Sequence, residues 1–415
     1  MANPVLAVVV LGALALAQPI AVASAQYFED EAQYLAADAE YHGASPQEAE
    51  ADEPEAEADA QPWDAGADLD QVNARVEGTD FEAPAEIVPS SEVPPSVVAV
   101  QRQAPGSFRY LVNGAPQLFV GMGYNPVYRR LSDEERAACY DRDFQILAQA
   151  GVNHIIGWDA DKGYEQDKFD ELTLDHALKQ GLGVVMPFYL PPDADYGDEA
   201  FQQSLMDEAA AKIARFKGHP ALRMWGVGNE VLSDMLSWEM RFPFVEFYAR
   251  LAEHFHQLDP NHPVVYREAE DVFIPLIGDL LRNANREDLW LLYGMNIYTM
   301  QLGLILDDWQ ASEDLPLVVT EFGFEADETG ERAPGYLAMW RTIRAHPDFV
   351  VGGAPYVWTT EGPEPTDRKW GLTDGSGHPV DGTFEQLAAE WRREAGGQAV
   401  MPDLLALGHD GWLLP

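Results

Sequence analysis

The chain has 415 residues, of which 47% are hydrophobic and 11% aromatic, enough for a large core. Its formal net charge of −44 would repel nucleic-acid backbones and anionic membrane surfaces, so neither is expected as a partner. A single cysteine, Cys139, excludes an intrachain disulfide and a thiolate metal cluster.

Residues 5–17 are almost wholly apolar, and Ala23-Ser24-Ala25 then forms a small-x-small cleavage site before Gln26. This pattern predicts a secretory signal peptide over 1–25, and hence a secreted or periplasmic protein. The apolar run is short for a membrane span. Met1-Ala2-Asn3-Pro4 carries no Lys or Arg, which leaves an uncleaved anchor as the alternative. Residues 26–100 are rich in Ala, Glu, Asp and Pro, with Arg75 their only basic residue. Such a stretch buries too little apolar surface to offset its ordering entropy, which predicts a disordered acidic linker ending near Pro94-Pro95.

Over 101–395 short apolar runs alternate with amphipathic stretches. Eight runs read as strands: Leu118–Asn125, Val152–Asp159, Leu182–Tyr189, Leu222–Glu230, Pro263–Glu268, Leu289–Tyr298, Leu315–Glu321 and Val350–Trp358. Most are near-continuous Val, Ile, Leu, Met and aromatic residues, as parallel strands buried on both faces are. Between them lie helical patterns. Ser132-Asp133-Glu134-Glu135 is a capping box. Val245, Tyr248, Ala252, Phe255 and Leu258 form one apolar stripe, and Thr383 is placed to cap the last helix. Eight β-then-α repeats predict an α/β fold, the (β/α)8 TIM barrel. An open doubly wound sheet would want a Gly-rich fingerprint opening a helix, and Gly121-Met122-Gly123 sits inside a strand instead. The apolar residues of 396–415, including Leu404, Leu405, Trp412 and Leu413, predict a tail packed on the barrel.

Such barrels build their sites at the C-terminal ends of the strands. That is where polar residues fall: Asn125, Asp159, Asn229, Glu230, Glu268, Tyr298 and Glu321, with Trp358 closing the eighth run. Asn125 and Asp159 also suit helix caps, Glu268 suits an ion pair with Arg267 or another arginine, and Trp358 suits a core. Glu230 and Glu321 each end an apolar run. A carboxylate is costly to bury unpaired, so packing explains them poorly. Two acids facing each other across a bound sugar explain them well.

Trp225-Gly226-Val227-Gly228-Asn229-Glu230 with Thr320-Glu321-Phe322-Gly323 resembles the clan of retaining β-glycosidases built on this barrel. Phe216-Lys217-Gly218-His219-Pro220 and Tyr293-Gly294-Met295-Asn296-Ile297-Tyr298 resemble both its β-galactosidase/β-glucuronidase family and the β-1,3-glucanosyltransferases. The resemblance implies that Glu321 is the nucleophile and Glu230 the acid/base of a β-linked oligo- or polysaccharide hydrolase. It implies that Asn229 bonds the sugar 2-hydroxyl, Tyr298 holds Glu321, and Trp358 offers the ring a flat face. Asn125 and Asp159 are the further candidates for substrate binding. A carbohydrate is the expected partner, with no metal and no cofactor; the oligomeric state is open. Ile156 stands where the clan often has an arginine beside the nucleophile, with Arg129 or Arg267 as possible substitutes. Residues 26–100 are not expected to supply the β-sandwich domains that usually precede the family's barrel, and the paired cysteines of the glucanosyltransferases are missing from this sequence. A transglycosylase and a glycan-binding barrel without catalysis are the alternatives. The loops Pro191–Gly197, Asp234–Phe242 and Thr359–Lys369 are expected to set specificity.

Overall fold

The computed structural model describes residues 93–128, 131–158, 169–325 and 330–397. The predicted signal peptide, the linker up to residue 92, Arg129, Asp159 and the tail from residue 398 lie outside the described residues.

Three antiparallel strands come first: β1 (Val98–Ala104), β2 (Ser107–Val112) and β3 (Ala115–Pro116). Asn113-Gly114 joins β2 to β3 with φ of 51° and 80°. This is the positive-φ pair that a tight two-residue hairpin needs, and Asn and Gly tolerate it best. The sequence reading extends the linker to residue 100; the structure ends it sooner. Ser96, Val98 and Val100 are buried. Val98 N–H donates to the Asn261 carbonyl (2.8 Å), Val100 bridges to Leu289, and Phe108 N–H donates to the Asp348 carbonyl (2.6 Å). Those partners all precede barrel strands, so the small sheet covers the N-terminal end of the barrel.

The barrel strands are β4 (Phe119–Gly123), β5 (His154–Ile156), β6 (Gly183–Phe188), β7 (Leu222–Asn229), β8 (Val264–Ala269), β9 (Leu291–Ile297), β10 (Leu317–Phe322) and β11 (Val350–Pro355). They close in the order β10-β11-β4-β5-β6-β7-β8-β9, every neighbouring pair parallel. Each falls within or against one of the eight predicted runs. β6, β9, β10 and β11 are buried along their whole length, which is why they read as mainly apolar segments. Burying each large side chain contributes about 1.5–3 kcal/mol.

An outer helix follows each strand: α1 (Asp133–Ala150), α2 (Glu171–Lys179), α3 (Glu199–Phe216), α5 (Trp238–Leu258), α6 (Ile274–Ala284), α7 (Leu302–Ser312), α8 (Ala333–Ala345) and α10 (Thr383–Gly397). Two short helices, α4 (Val231–Asp234) and α9 (Asp367–Trp370), interrupt the loops after β7 and β11. The Ser132 capping box opens α1: its hydroxyl accepts from Glu135 N–H, and the Glu135 carboxylate accepts from Ser132 N–H (2.8 Å). Thr383 begins α10 rather than capping it, and its N–H is met by the Asp381 carboxylate (3.1 Å). Trp391 of α10 packs edge-on to Trp340 of α8, joining the last helix to the ring.

Candidate active site

Glu230 follows β7 in a turn with an unusual backbone. Gly228 has φ +79°, and a Cβ there would meet Tyr266, Leu190 and Val231 at 3.2–3.3 Å. Glu230 itself is left-handed, at φ 50° and ψ 31°. That conformation costs a non-glycine residue about 1–2 kcal/mol, so neighbours must hold it. They do: Glu230 N–H donates to the Arg267 carbonyl (2.9 Å), and the Glu230 carbonyl accepts from Asp234 N–H (2.9 Å). Asn296 of β9 reaches across, its NH2 donating to Glu230 Oε1 (3.0 Å) and Asn229 Oδ1 (3.2 Å). The Asn296 carbonyl oxygen accepts from Thr320 Oγ1 (2.7 Å), which fixes which way the amide points. The Asn229 NH2 has no partner among the described residues and remains a donor at the edge of the hollow.

Glu321 lies at the end of β10, 4% exposed. Two side chains donate to it: Tyr298 O–H to Oε2 (2.6 Å) and Trp158 Nε1–H to Oε1 (3.1 Å). Burial, then the charge on Glu230, push its pKa up to about 8, while Tyr298, Arg267 and Trp158 pull it back. The charge on Glu230 disfavours a second charge on Glu321, so the two are not cheaply ionised together. Glu321 has two side-chain donors and a nearby guanidinium, which favour its ionised form. Glu230 accepts from the Asn296 amide, among its partners. Burial and the adjacent carboxylate hold the Tyr298 phenol well above its usual range, so it stays a donor.

Ile156 is buried in β5, and among the described residues the basic residue acting on Glu321 is Arg267 of β8, 2% exposed. It donates to the carbonyls of Gly157 (3.0 Å) and Gly228 (3.3 Å), and lies 5.9 Å from the Trp158 ring centre. Arg267 therefore supplies from the fifth barrel strand the positive charge expected from the second. The sequence reading names it only as a possible substitute.

Both carboxyls open on one hollow of about 280 Å³. All three predicted specificity loops line it, through Pro192, Asp234, and Pro363, Glu364, Thr366 and Asp367. Asn125 lines it too, but its amide is engaged elsewhere. It exchanges two hydrogen bonds with the Thr359 backbone (2.9 and 3.0 Å) and donates to Asp367, so it ties down the loop after β11. Trp358 does not offer the flat face expected of it. It is 1% exposed, outside the hollow, and packs edge-on to Phe384 of α10. Its N–H donates to the Gly123 carbonyl (2.8 Å), which fixes its backbone against β4. Trp158, Tyr356 and Trp370 are the aromatic walls instead. Tyr298 packs 5.0 Å from Trp370, and Trp158 stands edge-on to Tyr356 at 5.4 Å. Glu268 is not paired with arginine either; it is wholly buried, off the hollow, and held by Tyr266, Leu232 and Ala269. Among the described residues no group of three or more His, Cys, Asp or Glu side chains is arranged to hold a metal ion.

The sequence reading misses Trp158 and Asn296 as site residues. Asn296 left a signal, a polar residue inside the apolar run of β9. Trp158 left only its place next to the polar end of the second run.

Comparison with known proteins agrees with this architecture. Residues 170–358 match the family description "Glycosyl hydrolases family 2, TIM barrel domain". The β-glucuronidase of Rattus norvegicus is 25% identical over 246 residues, covering 55% of this chain and 34% of the relative. That of Paenibacillus borealis is 22% identical over 276 residues, covering 60% and 44%. The chain thus spans about a third to under half the length of these relatives. Among solved structures, the Bacteroides uniformis β-glucuronidase superposes with a TM-score of 0.54 at 16% identity, over 71% of this chain and 37% of that one. The Eisenbergiella tayi family 2 β-galacturonidase bound to galacturonate gives 0.52 at 17%, over 71% and 54%. At such identities the structures speak to the fold, a (β/α)8 barrel. Together with the family match, they support the resemblance to the barrel clan of retaining β-glycosidases.

Proposed function

We propose that the protein is a retaining β-glycoside hydrolase acting on a β-linked oligo- or polysaccharide. The observation that carries this reading is two carboxyls opening on one hollow, each oriented by side-chain donors. Glu321, with two donors and Arg267 nearby, is prepared as an anion; Glu230, facing that anion, is prepared as an acid. In the first step a Glu321 oxygen bonds to the anomeric carbon as the glycosidic C–O bond breaks, and the Glu230 proton passes to the departing oxygen. In the second step water attacks the same carbon, Glu230 takes its proton, and the bond to Glu321 breaks. The free Asn229 NH2 is placed to donate to a sugar hydroxyl. Trp158, Tyr356 and Trp370 supply the apolar faces.

Turnover of an aryl β-glycoside panel by the wild type, Glu321→Ala and Glu230→Gln tests the assignment. Loss of activity in both variants is expected; a variant as active as the wild type would refute it. NMR of the first-formed anomer tests retention, which predicts the β-product. Arg267 favours catalysis over a barrel that only binds glycans, because that alternative rested on the missing arginine. Transglycosylation shares the same glycosyl-enzyme and would appear as products longer than the substrate. Export remains part of the proposal, with a mature N-terminus at Gln26 as the expected result of sequencing the secreted protein.

A further inference from the structure

Glu268 lies near the C-terminal end of β8, completely buried, and takes no part in the chemistry above. Its carboxyl accepts three hydrogen bonds. Tyr266 O–H (2.6 Å) and Leu232 N–H (2.9 Å) reach Oε2, and Ala269 N–H (2.9 Å) reaches Oε1. Two of these partners are backbone N–H groups, which cannot accept a proton in return. The set fits a carboxylate, which only accepts, better than a carboxylic acid. An anion this deep is costly, so its partners indicate what it is for. Leu232 lies two residues beyond Glu230. Arg267, next to Glu268, accepts from Glu230 N–H through its carbonyl and donates from its side chain to the Gly228 carbonyl. The Arg267-Glu268 pair thus grips the strained turn at residues 228, 230 and 232.

We propose that Glu268 is a positioning residue for the acid/base: its carboxylate fastens the Leu232 end of the turn that carries Glu230, and its negative charge helps to keep the proton on Glu230. This inference rests on Glu230 being the acid/base. The groups around Glu268 are Tyr266 on its own strand, Glu230 after β7 and Tyr293 on β9. Tyr248 of α5 packs on the Tyr266 ring at 4.7 Å, and Glu270 and Asp271 act on Tyr293 with Glu268. Burial above all, with the charge of Glu230, raises the Glu268 pKa to about 7 against the donors of Tyr266, Ala269 and Leu232. The two carboxyls disfavour each other's ionisation. A proton resting on Glu230 is what allows Glu268 to stay charged near neutrality.

The test is kcat/KM against pH for the wild type, Glu268→Gln and Glu268→Asp. It uses two aryl β-glycosides of one sugar, with phenol and 2,4-dinitrophenol as leaving groups. The dinitrophenolate departs without help, whereas phenolate needs the acid. Glu268→Gln is expected to lose about tenfold or more on the phenyl glycoside and less than about twofold on the dinitrophenyl one. Its basic limb should move to lower pH, because Glu230 then loses its proton more readily. Glu268→Asp keeps the charge and shortens the reach. Its loss should depend on the leaving group in the same sense, with the basic limb where the wild type has it. Equal losses on both substrates, or an unmoved basic limb in Glu268→Gln, overturn the inference and leave the glycosidase reading standing. If Glu268→Gln does not fold, the Asp variant decides: a loss independent of leaving group overturns the inference. A wild type that cleaves no β-glycoside removes the glycosidase reading and this inference with it.

Discussion

Replacing Tyr298 with phenylalanine removes one hydroxyl and leaves the ring that packs on Trp370. The hydroxyl donates to Glu321 Oε2 at 2.6 Å, within the short range of an O–H group meeting a carboxylate. Although 37% of Tyr298 is exposed, its hydroxyl ends against a carboxyl that is 4% exposed, so solvent screens the bond little. A hydrogen bond to a charged group contributes about 1.5–3 kcal/mol. One pKa unit corresponds to about 1.4 kcal/mol, so losing the bond should raise the pKa of Glu321 by about one to two units. Water admitted by the missing oxygen recovers part of this, which favours the lower figure of about one unit.

The sign follows from the role. Glu321 attacks as an anion, so a higher pKa means less nucleophile at a given pH, and the acidic limb of kcat/KM moves alkaline. Burial and Glu230 already push this group up to about 8, so the limb lies in an accessible range. Tyr298→Phe should therefore lose about tenfold at pH 6 and progressively less as the pH rises past the shifted limb. The assay is kcat/KM on an aryl β-glycoside between pH 5 and 9. A loss that is the same at every pH, with the limb unmoved, would show that Tyr298 does not set the ionisation of Glu321.

Asn296→Ala should lower kcat/KM by about tenfold to a hundredfold, since it removes the donor that orients Glu230 and strands the Thr320 hydroxyl; steady-state kinetics checks it, and near-wild-type activity would count against that role. Trp370→Ala should raise KM with little change in melting temperature, whereas Trp358→Ala should cost about 3–5 kcal/mol of stability as a buried aromatic lost from the core. Urea denaturation and substrate titration of both variants separate these, and the reverse pattern would restore Trp358 as a sugar platform. The raised carboxyl of Glu321 also ties stability to pH. Pushed up to about 8 in the folded protein, it holds a proton that the unfolded chain releases near its ordinary carboxylate range, so its contribution falls as pH rises from about 4.5 to 8. The melting temperature of Glu321→Gln minus that of the wild type should accordingly grow from pH 5 to pH 8, and a difference that is flat with pH would contradict the burial argument.

The barrel was legible because its strands are buried on both faces. A parallel strand that never meets water needs no polar alternation, so it appears in the sequence as an apolar run with a polar stop. That one property marks most of the eight strands, and it marks Glu230 and Glu321 because both are polar stops. The antiparallel sheet before the barrel left a different signal, Asn113-Gly114 between β-prone segments, which is a hairpin turn rather than a run. Aromatic residues carried no such direction. Trp358 and Trp370 both lie on the stretch after β11, and only the backbone path decides that one faces Phe384 and the other the hollow.

What the sequence could not show is which side chains reach across strands. Trp158 and Glu321 are 163 positions apart, and Asn296 and Glu230 are 66. Arg267 acts on Glu321 from a strand on the other side of the ring from the one where an arginine was expected. A closed barrel brings every strand end to one rim, so the charge the nucleophile needs can be supplied from more than one strand. This is why the two glutamates that share the hollow can be picked out from short motifs, while their ionisation cannot. The acids are fixed by where two strands end; their proton is placed by Trp158, Tyr298, Arg267, Asn296 and Glu268, which converge on them from four different strands and loops. Substitutions among those five should therefore change the pH profile before they change the fold or the residues that react.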